Sequence, residues 1–179
     1  MTETKVSKAE TLKIESQFLR GSVPEELRED SDHFEHDNEL LLKFHGTYQQ
    51  DDRDERGSGG LTADGKKKKT YIFMVRTRIP GGKLTTSQFL AHLDLGDRVG
   101  NSTLRITTRQ GLQLHGVTKQ NLRETIRAIN SIDLTTLGAC GDVNRNVMCC
   151  PAPYGTNVHN EVQSLAIRIA QHFAPRTSS

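Results

Sequence analysis

The stretch Thr103–Gly116, TLRITTRQGLQLHG, decides how this chain is read. Two short runs of alternating character meet at Arg109-Gln110-Gly111, which predicts a β-hairpin with strands at 102–108 and 112–116. Strand side chains alternate between faces. Leu104, Ile106, Leu112 and Leu114 fall on one face. Arg105, Thr107, Arg109, Gln113 and His115 fall on the other, with Thr108 on the even side near the turn. The plain reading of the second face is solvent, as in many antiparallel sheets. Its composition argues for more, because it holds two arginines and a histidine and no acid. Guanidinium groups grip carboxylate or phosphate through paired hydrogen bonds, so the face suits a polyanion lying across the sheet.

Working outward, residues 70–79, TYIFMVRTRI, read as a strand ended by Pro80-Gly81-Gly82. If Tyr71, Phe73 and Val75 face helices, Arg76 and Arg78 join the hairpin donors. Thr85 and Gln88 fit a capping box that opens a helix over 85 to about 95, with Phe89, Leu90 and Leu93 as its apolar stripe. Thr118 opens another helix, with Leu122, Ile126 and Ile129 inward. The order β-α-β-β-α predicts an α+β fold, a ferredoxin-like half-domain with an antiparallel sheet covered by helices on one side.

The flanks are less regular. Residues 7–18 read as a short helix, 24–39 as an acidic irregular arm, and Leu40–Tyr48 as an apolar strand breaking at Gly46. Residues 49–70 read as a long Gly-rich charged loop that includes Lys66–Lys69. Residues 133–158 are irregular, and the segment Asn144-Arg145-Asn146 lies where loose backbone can deliver a side chain to a site. Val162, Leu165, Ala166, Ile169 and Phe173 mark a last amphipathic helix. The organisation predicted is an arm over 1–69, the half-domain over 70–132, and the start of another domain over 133–179.

At 179 residues the chain is long enough for one domain of about 150 residues and little more. The hydrophobic share of 34% is lean, so part of the chain lies outside a core. No run approaches the roughly 20 apolar residues of a membrane helix. Acids at Glu3, Glu10 and Glu15 argue against a targeting peptide. The net charge of +2 names no dominant electrostatic partner. Nucleic acid is disfavoured because the hairpin has no aromatic residues on which bases would stack. Cys140, Cys149 and Cys150 form no disulfide framework and point to a reducing, cytoplasmic compartment. His33 and His36 lack a scaffold for a metal, and no metal site is assigned.

On several stretches together the sequence resembles the sirohaem-dependent sulfite and nitrite reductases, on the assimilatory sulfite reductase side. They are ESQFLRG at 15–21, Lys43–Gly46 leading into TYQQDDRD, Arg76–Gly82, the hairpin, and Asn144-Arg145-Asn146-Val147. The resemblance implies an oxidoreductase reducing sulfite to sulfide with six electrons at sirohaem, an iron tetrapyrrole with eight carboxylates. Nitrite remains the alternative substrate anion, and ferredoxin or a flavoprotein subunit the electron donor. It implies that Arg105, Thr107, Thr108, Arg109, Gln113 and His115 contact the tetrapyrrole, and that Arg76 and Arg145 surround the substrate anion. Family members also bind a 4Fe-4S cluster through four cysteines, and such clusters need four thiolates. Three cysteines, none in that pattern, imply that this chain is an N-terminal part of a longer subunit without the cluster ligands. A non-catalytic half-domain that binds tetrapyrrole or anion is the competing reading.

Overall fold

The computed structural model describes residues 6–55, 60, 61, 65 and 69–178. Within the loop predicted over 49–70, residues 56–59, 62–64 and 66–68 lie outside the described residues, Lys66–Lys68 among them, and 49–51 are strand and not loop. The chain runs through helices α1 (Lys8–Glu15), α2 (Val23–Glu26) and α3 (His36–Phe44), then strands β1 (Thr47–Asp51) and β2 (Tyr71–Thr77). Helix α4 (Thr86–Val99), strands β3 (Leu104–Ile106) and β4 (Leu112–Val117), and helices α5 (Leu122–Ser131) and α6 (Asn157–His172) follow. The four strands form one antiparallel sheet in the order β1-β2-β4-β3.

Helices α4 and α5 cover one face of this sheet. Phe73 and Val75 from β2 and Leu114 and Val117 from β4 pack there against Leu95, Val99, Leu122 and Ile129. The capping box at Thr85 forms as expected. Thr85 Oγ1 accepts from the Gln88 amide at 3.2 Å, and Gln88 Oε1 accepts from the Thr85 amide at 3.0 Å. The helix runs past Gly96 and closes at Gly100. Its inward face is His92, Leu95, Gly96 and Val99, not the stripe read from the sequence. Phe89, Leu90 and Leu93 are exposed, because the capping box fixes a phase that turns them away from the sheet.

The flanks differ more. Residues 24–39 are not irregular throughout: α2 takes Pro24 in its first turn, where a missing N–H costs nothing. The run read as a strand from Leu40 is helical to Phe44. A short apolar run does not separate strand from buried helix by periodicity, and here Asn38, Leu41, Leu42 and Phe44 share a buried face. Gly46 (φ +73°) then turns the chain into β1. Helix α6 forms where predicted, but only Ala166 and Ala170 are buried. Val162, Leu165 and Phe173 are exposed. Among the described residues no helix is long and apolar enough to cross a membrane.

Buried histidine sets the acid response of this fold. His92 is wholly buried, with Nε2 against Thr77 Oγ1 at 2.9 Å and Nδ1 against the Gln88 carbonyl at 2.9 Å. Burial holds its pKa below the ordinary value, and does the same at His45. The unfolded chain therefore takes up these protons first. Stability is full above the unfolded pKa of about 6.5 and is lost as pH falls from there towards the folded values. The slope approaches about 1.4 kcal/mol per pH unit for each group. Urea midpoints should fall between pH 7.5 and 5, and His92→Gln should flatten that fall. A midpoint insensitive to pH in the wild type would contradict this.

Candidate functional site

The uncovered face of the sheet carries the candidate site. Cross-strand register places Arg76 opposite Gln113, and Gln113 opposite Arg105. Tyr48, on β1 opposite Met74, lies on the same face. The Arg76 guanidinium carbon is 5.9 Å from the centre of the Tyr48 ring. Arg76 Nη1 donates to the Cys140 thiol at 2.5 Å.

The hairpin turn is closed by Thr107, whose Oγ1 accepts from the Gly111 amide at 3.0 Å. That bond uses the oxygen as acceptor and leaves its O–H free to donate. Arg105, Thr108 and Arg109 are exposed. His115 is half-buried, and its Nε2 is buried without a partner. Burial, followed by the charges of Arg105 and Arg76, holds the His115 imidazole below its ordinary pKa. An anion laid on this face would offset both charges and let His115 protonate and donate.

The irregular segment is tied down by side-chain and backbone hydrogen bonds. Asn146 is buried, and its Nδ2 donates to the carbonyls of Ile79 at 2.7 Å and Arg109 at 2.8 Å. The Gly81 amide donates to the Val147 carbonyl at 2.8 Å, and Gln110 Nε2 to the Cys149 carbonyl at 2.8 Å. These bonds staple 146–149 across the end of β2 and the hairpin turn, so that exposed Arg145 stands beside them. Arg76, Thr107, Thr108, Arg109 and Arg145 line one hollow of about 230 Å³. That is below the range of about 300–1,000 Å³ typical of drug-sized ligands, and suits a small anion. Among the described residues, Arg105, Arg109 and Arg145 form no salt bridge.

Several features depart from the sequence reading. Arg78 does not join the donors. Beyond Thr77 the chain leaves β4 and bridges Thr135, and Arg78 is buried with Nη2 donating to the Ala170 carbonyl of α6 at 2.6 Å. Ile106, expected to pack, is 76% exposed on the edge strand β3. The hairpin itself has no acid, yet Asp51, Asp52 and Asp54 line a second hollow with Arg105 and His115. Nothing in the local sequence marks Tyr48 or Cys140 as a site residue. Only the register of β1 and the path of the 135–140 segment bring them to Arg76. Burial raises the pKa of both the Cys140 thiol and the Tyr48 phenol, so each stays protonated. Among the described residues no group of three or more His, Cys, Asp or Glu comes together to hold a metal. His33 pairs with Asp32 and stacks on Tyr71, and His36 faces Glu39.

Comparison with known proteins agrees with this architecture. Residues 64–132 match the model of the nitrite/sulfite reductase ferredoxin-like half domain. The sulfite reductase (NADPH) hemoprotein beta-component of Geobacillus kaustophilus is 48% identical over 172 residues, covering 96% of this chain and 30% of that protein. Its counterpart in Staphylococcus epidermidis is 44% identical over 171 residues, covering 95% of this chain and 29% of that one. Sulfite reductase (NADPH) subunit beta of Saccharomyces cerevisiae is 46% identical over 174 residues, covering 95% and 12%. The chain thus spans less than a third of the length of these relatives. The structure of the Mycobacterium tuberculosis NirA protein shares the fold with TM-score 0.65 and 24% identity, over 81% of this chain and 27% of that one. This chain is thus similar, along nearly all of its length, to part of the sulfite reductase hemoproteins, and its residues 64–132 match the ferredoxin-like half domain of the nitrite and sulfite reductases.

Proposed function

We propose that this chain supplies the anion-gripping face of a sulfite reductase that reduces sulfite to sulfide with six electrons at sirohaem. The observation that carries this reading is the hollow lined by Arg76, Arg109 and Arg145. It opens from a sheet face whose exposed guanidiniums have no carboxylate partner among the described residues. The fit to a polycarboxylate tetrapyrrole rests on the orphaned Nε2 of His115 and on the donors around it. Arg105, Thr107, Thr108, Arg109, Gln113 and His115 would hold its carboxylates. When bound, sirohaem supplies the electron chemistry.

Arg76 and Arg145 would hold the oxygens of sulfite. Charge-assisted hydrogen bonds are roughly twice as strong as neutral ones, and a fixed cationic pocket stabilises charge that builds up as S–O bonds break. Arginine does not release its proton in proteins, so proton delivery falls to lysine or water. A 4Fe-4S cluster does not fit this chain: it needs four thiolates, and Cys140, Cys149 and Cys150 are three in all. The cluster would therefore sit on sequence outside this chain, with residues 133–179 opening the domain that meets it. The relatives' names, sulfite reductase (NADPH), favour sulfite over nitrite and NADPH as the source of the electrons. Free thiols fit a reducing cytoplasmic setting.

The test is a sirohaem titration of the purified chain, followed by sulfite. The Soret band should shift on binding and shift again with sulfite. A folded chain that leaves the sirohaem spectrum unchanged would overturn the proposal.

A further inference from the structure

We propose that Gln113 is the positioning residue for Arg76: its side-chain carbonyl locks the guanidinium so that the remaining N–H groups form a fork for a small oxyanion. This rests on the proposed function for the identity of the anion, but not for the positioning itself.

A guanidinium has five N–H donors. The Gln113 amide orientation that pairs acceptor with donor turns Oε1 to Arg76, where it accepts from Nε at 2.9 Å and from Nη2 at 2.5 Å. Nη1 donates to Cys140 Sγ. Three donors are thus committed, one on each nitrogen. One N–H remains on Nη1 and one on Nη2, which is the pairing that grips two oxygens of one anion. The Tyr48 ring flanks the same group. Arg76 and Gln113 are direct cross-strand partners, so the lock is built into the register of β2 and β4.

Gln113 also has a second side. With Oε1 committed to Arg76, its NH₂ donors stay available to a tetrapyrrole carboxylate. One amide then links the two ligands the face would carry, and it orders Arg76 before either arrives. A free arginine loses substantial rotamer freedom on binding. Holding it in advance should strengthen anion binding roughly 10- to 30-fold.

The experiment uses the full 179-residue chain and two readouts. The first is the Arg76 Nε–H signal in a proton–nitrogen correlation spectrum, assigned by its loss in Arg76→Lys. The second is the dissociation constant for inorganic sulfite. Gln113→Met keeps the length and removes the acceptor. It should broaden the Nε–H signal by exchange and weaken sulfite roughly 10- to 30-fold, with little change in urea midpoint. Gln113→Glu keeps the acceptor and adds a charge. It should preserve the Nε–H signal yet also weaken sulfite, because the carboxylate competes with the anion. This separates order from affinity in a way that loss of structure does not.

A sharp Nε–H signal in Gln113→Met would overturn the positioning role, and so would unchanged sulfite affinity in that variant. If Gln113→Met fails to fold, Gln113→Glu decides: loss of its Nε–H signal would overturn the proposal. A wild-type chain that shows the ordered Nε–H but no sulfite binding would reject the anion fork and the proposed function together, while the Gln113 lock stands on its own readout.

Discussion

Gly46→Ala is expected to destabilise the chain by about 2–5 kcal/mol, a large part of the roughly 5–15 kcal/mol that holds a domain together. Gly46 has φ +73°, which costs an L-residue about 1–2 kcal/mol. A Cβ there would also stand 2.5 Å from the Thr136 carbonyl oxygen and 2.7 Å from that of Arg76. Both are backbone atoms and do not rotate away. Relief requires β2 to part from the 135–140 segment, adding a packing cost of about 1–3 kcal/mol. The Arg76 amide donates to the Gly46 carbonyl at 2.8 Å, so the same movement loosens the strand that carries the candidate anion receptor. Gly65→Ala is the control. Its φ of +72° is similar, and a Cβ there would meet no described residue within 4 Å. Gly65→Ala should cost no more than about 1–2 kcal/mol. Urea unfolding of both variants measures the difference, and equal losses would show that the close approach at Gly46 contributes nothing.

Gly46 also marks where the sequence is hard to read. A glycine after LLLKFH fits a helix cap as well as a strand break. The choice turns on Asn38, a polar residue buried on the same face as Leu41, which no apolar count reveals. The hairpin is legible because alternation survives on short strands and because its turn closes locally through Thr107 and Gly111. Helix α6 is legible as a helix but not in its inward face. The large apolar residues at 162, 165 and 173 suggest the core, whereas Ala166 and Ala170 let the backbone close on Arg78. Small residues at i and i+4 give a weak hydrophobic signal and a strong packing one. For the site, Arg76, Arg105, Gln113 and His115 follow from strand parity alone, whereas Thr107, Thr108 and Arg109 lie in the turn beyond β3, which is shorter than the 102–108 read from the sequence. Tyr48 and Cys140 depend on an approach across 64 residues or on sheet register, and local pattern does not encode either.

The pair Arg105 and Arg109 should then show the largest effect on ligand binding. Both side chains are exposed and free of salt bridges among the described residues. Removing them should leave the core untouched, with stability changed by no more than about 0.5 kcal/mol. A hydrogen bond to a charged group contributes about 1.5–3 kcal/mol. Without two such bonds, binding should weaken by about 3–6 kcal/mol, or roughly 10²- to 10⁴-fold in the dissociation constant for sirohaem. Arg105→Ala with Arg109→Ala should therefore abolish the Soret shift at concentrations that saturate the wild type. Arg98→Ala is the matched control. Arg98 lies on α4, where it pairs with Glu124 at 2.9 Å, and its loss removes the same charge from the opposite side of the sheet. If affinity depended only on net charge, the control and either single variant would weaken binding alike. If the hairpin face is the contact surface, Arg98→Ala should bind as the wild type does. Raising the salt should weaken the wild type far more than the double variant, because screening acts only on charges that take part. A double variant that binds sirohaem as tightly as the wild type would remove the hairpin from the binding surface.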